Sequence, residues 1–190
     1  MKTIEALETS RTITESRGSN FDNALTATGR SPEIPDTSDV YGWLIGSCEL
    51  QVRRYGVDVS ERHIMGEAHF AWVLEGRAVQ DVWMIPRLSE RTASLEKGLN
   101  SYGTTLRVWD PAIQAWRITW INPVTGRRDE LVGRWSGKEI VQIGAHSDGT
   151  PIRWIFSEIT RNSFRWTGEV LEPDGKTWKL EGEFLARRIS

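Results

Sequence analysis

The chain has 190 residues, with 24 Lys and Arg against 26 Asp and Glu, a formal net charge of -2 and a sequence pI of about 6.0. That balance offers no cationic footprint for nucleic acid, and a single cysteine, Cys48, excludes an internal disulfide. No apolar run approaches the ~20 residues of a membrane helix, and the opening MKTIEALETSRTITESRG lacks the apolar stretch of a secretory signal.

One domain with a sizeable core is expected at this length, in the cytoplasm by elimination. The unusual figure is ten tryptophans against five phenylalanines and three tyrosines. Tryptophan serves equally as bulky filler of a β core or as the lining of an aromatic pocket, and a barrel accommodates both uses.

Residues 1–39 read as a polar extension rich in Ser, Thr, Glu, Arg and Asn and closed by Pro32 and Pro35. Asn20–Thr28 within it has the marks of a short helix, with Asn20 as N-cap and Gly29 just past the end, placed to close one end of a barrel. From residue 40 the chain is strands and turns. A long first strand is predicted over Tyr41–Tyr55, then a hairpin of Ser60–Leu74 and Arg77–Ile85 around Glu75-Gly76. Pro86–Asn100 is polar and reads as a long loop, with room for a helical turn over Ser89–Lys97.

Seven more strands follow at hairpin spacing. They are Tyr102–Trp109, Ala115–Ile121, Asp129–Trp135, Glu139–Gly144, Pro151–Ile159, Ser163–Leu171 and Lys176–Arg188. Turn sequences such as Asp110-Pro111, Ser136-Gly137-Lys138 and Asp174-Gly175 separate them. Ten strands with short links and no alternating helices specify an all-β antiparallel meander, which hides its edges by curling into a barrel.

The hairpin from Gly66 to Arg87 holds the densest mixture of aromatic and ionisable residues, and its side-chain pattern admits two registers. A two-residue loop sets Phe70 opposite Asp81 and Trp72 opposite Val79. A three-residue loop with Gly76 at a bulge sets His69 opposite Asp81, with Glu67 and Arg77 on the same side. The second is the working expectation, because Gly suits the left-handed bulge position. It would make His69, Asp81 and Glu67 a candidate acid–base group, whereas a solvent-facing polar edge is the plainer reading.

No metal or cofactor is expected. His63 is six residues from His69, roughly 20 Å along a strand, too far to share an ion. His146, in a Gly- and Asp-rich turn, reads as an exposed loop histidine, with a haem ligand at a barrel mouth as the functional alternative. Arg77, Arg107, Arg134, Arg153 and Arg165 fall beside aromatics within strands. Each suits either a carboxylate or phosphate anchor or the barrel exterior. Cys48 reads as an inert core thiol.

The segments Leu44–Val52 (LIGSCELQV), Leu74–Trp83 (LEGRAVQDVW), Gly103–Pro111 and Ile159–Arg188 resemble an uncharacterised bacterial group of lipocalin-like (calycin) barrels. The first resembles the L-x-G-x-W opening of those barrels, with Leu44 and Gly46 in place and Cys48 where the Trp usually stands. The resemblance covers roughly residues 40–188 and implies a small antiparallel barrel with an internal cavity; it brings no catalytic residues.

The functional expectation is a cavity for a small hydrophobic or aromatic molecule. Its lining would be drawn from Trp83, Arg77, Arg107, Trp109, Trp120, Trp154, Phe156 and Trp166. The alternatives are a cofactor-independent lyase, isomerase or cyclase using the His69 group, and a structural or dimerising module. The expected macromolecular partner is a second copy of the chain, in a homodimer; no nucleic acid and no membrane is expected to bind.

Overall fold

The computed structural model describes residues 19–92 and 99–190. The expectation for the first 18 residues, and that for most of the turn over Ser89–Lys97, lie outside the described residues. Among the described ones, Leu88–Glu90 forms a single 3-10 turn, and no helix is long and apolar enough to cross a membrane.

In chain order the strands are β1 (Thr26–Ala27), β2 (Gly46–Tyr55), β3 (Val57–Asp58), β4 (Met65–Val73), β5 (Ala78–Ile85) and β6 (Ser101–Asp110). They continue with β7 (Ala115–Asn122), β8 (Arg127–Ser136), β9 (Glu139–His146), β10 (Pro151–Ser157), β11 (Ser163–Leu171) and β12 (Trp178–Arg188). β4 to β12 pair consecutively and antiparallel, β12 then pairs with β2, and β2 pairs back onto β4. The result is a closed ten-strand meander barrel, with β1 and β3 as short additions. Closure leaves the ten long strands without a free edge. Each of the ten expected strands is present.

Alternation sorts the residues between inside and outside. On β2, Cys48, Leu50 and Val52 are buried, and on β10 Ile152, Trp154 and Phe156 are. Their neighbours on the same strands face outward. The buried set forms one core cluster running through the barrel.

The first strand starts later than the sequence pattern suggests. Residues Tyr41–Leu44 cap one end of the barrel instead of extending β2, because Asp39 Oδ1 accepts the Gly42 N–H at 2.7 Å and turns the chain into a 3-10 turn over Gly42–Leu44. Ile34, Val40, Tyr41 and Leu44 are buried in this plug. Tyr41 packs edge-on to Trp116, with ring centroids 5.2 Å apart, and Trp43 stands edge-on to Phe156 and Phe164. A Cβ on Gly133 would lie 2.2 Å from the Tyr41 hydroxyl, so the barrel wall is bare where the plug enters. The expected helix forms as α1 (Asn20–Leu25), one residue displaced in its capping, since Ser19 and Asp22 make a reciprocal capping box. α1 has no buried residue; the plug, rather than this helix, closes the barrel end.

The β4–β5 hairpin takes the register opposite to the expectation. Phe70 pairs with Asp81, Trp72 with Val79 and His69 with Val82. The loop is the two-residue one, with the Arg77 N–H donating to Leu74 O at 3.1 Å across Glu75-Gly76. Burial of apolar area decides this. The observed register turns Phe70, Trp72, Val79 and Trp83 inward together, whereas the other would have set Glu67 and His69 on the same face as Trp83. Gly76 is required for a different reason than a bulge. Its φ is +77°, and a Cβ there would lie 2.2 Å from Gly29 O, where the segment 29–31 passes against the turn and the Ser31 N–H donates to Gly76 O.

Candidate functional site

The plug closes one end of the barrel, and the other end opens into a cavity of about 440 Å³. This is within the ~300–1,000 Å³ range of small-molecule pockets. Four tryptophans, Trp83, Trp120, Trp154 and Trp166, line it with Ile85, Ile152 and Phe184, beside polar residues that include Asn122, Glu169 and Glu181. They interlock: Trp154 sits 5.7 Å from Trp166 and 6.4 Å from Trp120, and Trp166 stacks on Phe184 at 5.0 Å. Gly168 and Gly182 face each other across β11 and β12. A side chain on either would run into the Trp166 ring, so that indole can lie across β11 and β12 only because both positions lack a Cβ.

At the inner end stands a buried ion pair. Arg107 on β6 donates through Nη1 to Asp81 Oδ2 on β5, and both side chains are fully enclosed. Asp81 Oδ1 accepts the Thr105 backbone N–H at 2.8 Å. The Arg107 guanidinium lies over the Tyr41 ring at 5.0 Å, so plug and cavity meet at this cation. The Tyr41 hydroxyl donates to Gln142 Oε1 at 3.2 Å. Burial pushes the Tyr41 phenol well above its ordinary ionisation range, with the Arg107 charge opposing part of that shift. Among the described residues, three buried side-chain polar atoms lack a hydrogen-bond partner: Trp83 Nε1, Arg107 Nε and Gln142 Nε2. All three are N–H donors, and the first two belong to cavity-lining residues.

The outer rim holds a second polar group, on β8 and β9. His146 Nδ1 lies 2.7 Å from Asp129 Oδ1, and Arg127 Nε donates to Asp129 Oδ2 at 2.6 Å. The Asp129 carboxylate is fully buried, and the His146 side chain is 19% exposed. Arg127 Nη2 lies 3.3 Å and 3.4 Å from the two ring nitrogens, and with Nδ1–H directed at Asp129 it can donate only to Nε2. His146 and Arg127 both line the cavity. Pairing runs in register from Asp81 to Thr105, Trp120, Asp129 and His146 across five neighbouring strands. The inner ion pair and the rim group therefore belong to one continuous wall.

Of the candidates for ligand contact, Trp83, Arg107, Trp120, Trp154 and Trp166 line the cavity. Arg77, Trp109 and Phe156 do not. Arg77 sits on the closed-end turn, in a fork with Glu33 at 2.8 Å and 2.9 Å and a further contact to Glu75. Trp109 packs on Trp116 at 6.1 Å. Phe156 is buried beneath the plug beside Tyr41 and Phe164. Arg153 and Arg165 pair on their strands with Glu169 and Glu183, and Arg134 donates to Ile113 O, so of these five arginines Arg107 alone points into the barrel.

His69, Asp81 and Glu67 are not brought together. His69 is on the outer face, 44% exposed, with Nδ1 2.9 Å from Ser47 Oγ and Nε2 3.6 Å from Glu67. Asp81 is inside, opposite Phe70. The cause is the register: one residue of slip moved His69 and Glu67 to the far side of the sheet. Cys48 is buried, and burial pushes its thiol above the ordinary range. Among the described residues no three His, Cys, Asp or Glu side chains come together in the manner of a metal site.

The His–Asp pair that the sequence suggested at 69 and 81 thus occurs at 146 and 129. The signal for it was available. Counting outward from the Ser136-Gly137-Lys138-Glu139 turn, each pair of opposed residues keeps the same sum, and Asp129 falls opposite His146. The strand runs two residues past Gly144, so His146 is its last residue and not part of the loop.

No protein-family model and no curated protein matches this sequence. The closed antiparallel barrel is consistent with the lipocalin-like resemblance, which rests on the motifs and on this architecture.

Proposed function

We propose that the barrel binds a small aromatic molecule carrying an oxygen acceptor, a carbonyl, hydroxyl or carboxylate, at its inner end. The observation that carries this reading is a four-tryptophan wall together with unpartnered buried N–H donors on Trp83 and Arg107, two residues that line the same cavity. The wall supplies non-directional binding, worth roughly 25 cal/mol per Å² of apolar surface removed from water. The donors supply orientation. A buried donor left unsatisfied costs about 1–3 kcal/mol, which an acceptor on the ligand would offset.

The proposed partner is a small molecule rather than nucleic acid, for which a net charge of -2 offers no counter-charge. Calorimetric titration with naphthalene, 2-naphthol and 1-naphthoic acid tests the reading. At least one oxygen-bearing probe should bind about tenfold more tightly than naphthalene, a difference of about 1.4 kcal/mol. If none of the three binds more tightly than ~1 mM, about -4 kcal/mol, the reading is wrong.

A further inference from the structure

A bulge in β12 puts a carboxylate at the mouth of the cavity. We infer that the bound molecule is an arylalkylamine, its rings against the tryptophans and its protonated amine held at the rim by Glu181 and the neighbouring indole faces. The inference rests on the binding reading above and deepens it by fixing the charge and the second functional group of the ligand.

Glu181 lines the cavity and is half-buried. Strict alternation along β12 would put it on the outer face with Glu183, which pairs there with Arg165. The register breaks instead. Gly168 pairs with Gly182 and Glu169 with Leu180, so Glu181 is an extra residue with no opposite number on β11. A bulge of this kind re-aims a side chain. The backbone at the bulge is pinned, since Glu181 O accepts the Gly56 N–H at 2.7 Å. A Cβ on Gly182 would lie 3.0 Å from the Trp166 ring, so Glu181 adjoins the stretch of β12 that this indole covers.

The other charged groups at the cavity are paired within the protein. Arg107 pairs with Asp81, Arg127 with Asp129 and Glu169 with Arg153, while His146 Nδ1 also lies on Asp129. Among the described residues the Glu181 carboxylate has neither an ion-pair nor a hydrogen-bond partner. The cavity therefore carries one uncompensated negative charge beside aromatic faces, and such faces attract cations through the ring quadrupole. An ammonium group satisfies both, and an anion would be repelled by both. β12 runs from the open end to the plug, where Arg188 Nη1 donates to Ile45 O at 2.6 Å. Glu181 is three residues nearer the opening than Phe184, roughly 10 Å along the strand, and Phe184 packs on Trp83 at 5.7 Å. The ammonium and the oxygen thus belong at opposite ends of the ligand, one at the rim and the other at the inner donors.

The test is calorimetric titration of the whole chain with 5-hydroxytryptamine and with 5-hydroxytryptophol. The two probes share rings, ring hydroxyl and two-carbon arm, and differ only in ending the arm with an ammonium or a neutral hydroxyl. At neutral pH the amine should bind about tenfold more tightly than the alcohol. Glu181→Gln should cut that ratio at least ~3-fold through the amine alone, and Glu181→Lys should make the alcohol the tighter ligand. Binding of 2-naphthol, unchanged in both variants, reports that the cavity is intact. If a variant fails to fold, salt decides the matter in the unaltered chain. The preference for the amine should shrink at least ~2-fold between ~0.02 and ~0.5 M NaCl, because a half-buried carboxylate at a rim is screened. With 2-naphthol bound, an amine that binds no more tightly than the alcohol would overturn the inference and leave the binding reading standing. So would a preference that survives Glu181→Gln and Glu181→Lys, or, where these do not fold, one indifferent to salt. Absence of saturable binding by 2-naphthol and by both probes would overturn the binding reading and this inference with it.

Discussion

Arg107 and Asp81 lie deepest in the cavity, and each makes the other tolerable there. A lone charge at such a site would be costly to bury, and the pair is held by position on adjacent strands and by the Thr105 N–H. Arg107→Met should leave the carboxylate with one backbone donor and lower stability by about 3–5 kcal/mol, read from urea unfolding. His69→Ala, on the outer face, should change it by no more than ~0.5 kcal/mol; a larger loss would mean that the outer-face assignment of His69 is wrong. Tyr41 gives a pH signature. Its phenol ionises near its ordinary value of 10.0 in the unfolded chain and well above that when folded. Between those two values only the unfolded state loses the proton, so stability must fall as pH rises above about 10. Denaturant midpoints at successive pH values should show that decline, and Tyr41→Phe should flatten it. If the decline is undiminished in the variant, the buried phenol is not its source. At this scale the sequence was only partly legible. Trp83, Trp120, Trp154, Trp166 and Arg107 could be picked out as lining from residue type and position within strands, a criterion that did not separate Trp109 from them. Asp129 becomes legible only when the β8–β9 register is carried past Gly144 to His146, because what makes it matter is that cross-strand neighbour.

The hairpins show why an element can be read correctly and a site on it missed. Strand and turn signals located β4 and β5 closely, but the placement of their charged residues hung on a single residue of slip. The competition was settled by Phe70 and Trp72 against His69 and Glu67 for the inner face, and the aromatic pair prevailed on area. The plug was illegible for a related reason. Ser31–Leu44 has little periodicity, and its burial comes from contacts with strands far along the chain, such as the Trp116 indole donating to Ser38 O. The β11–β12 pair carries its own test. Gly168 and Gly182 make room for the Trp166 indole, so Gly182→Val should push that ring out of place and into the cavity. Affinity for 2-naphthol should drop at least ~10-fold, about 1.4 kcal/mol, while far-UV circular dichroism is unchanged. Unaltered affinity would move the ligand elsewhere.

On the scale of the whole molecule, a meander of ten strands closed by β2 leaves two unlike ends. One is filled by the chain's own plug and needs nothing more. The other is open, walled with indoles, and rimmed by the His146 group. The meander was readable from turn spacing alone, because antiparallel neighbours in space are neighbours in sequence. Which end stays open was not, since it depends on where residues before β2 dock. The account's central claim is that the open end takes up an aromatic molecule against Trp83, Trp120, Trp154 and Trp166. The most direct measurement is titration of intrinsic tryptophan fluorescence with 2-naphthol, in the unaltered chain and in Gly182→Val side by side. A saturable change below ~1 mM in the first, weakened at least tenfold in the second, is the expected result. A signal that never saturates, or one that is identical in both proteins, would contradict it.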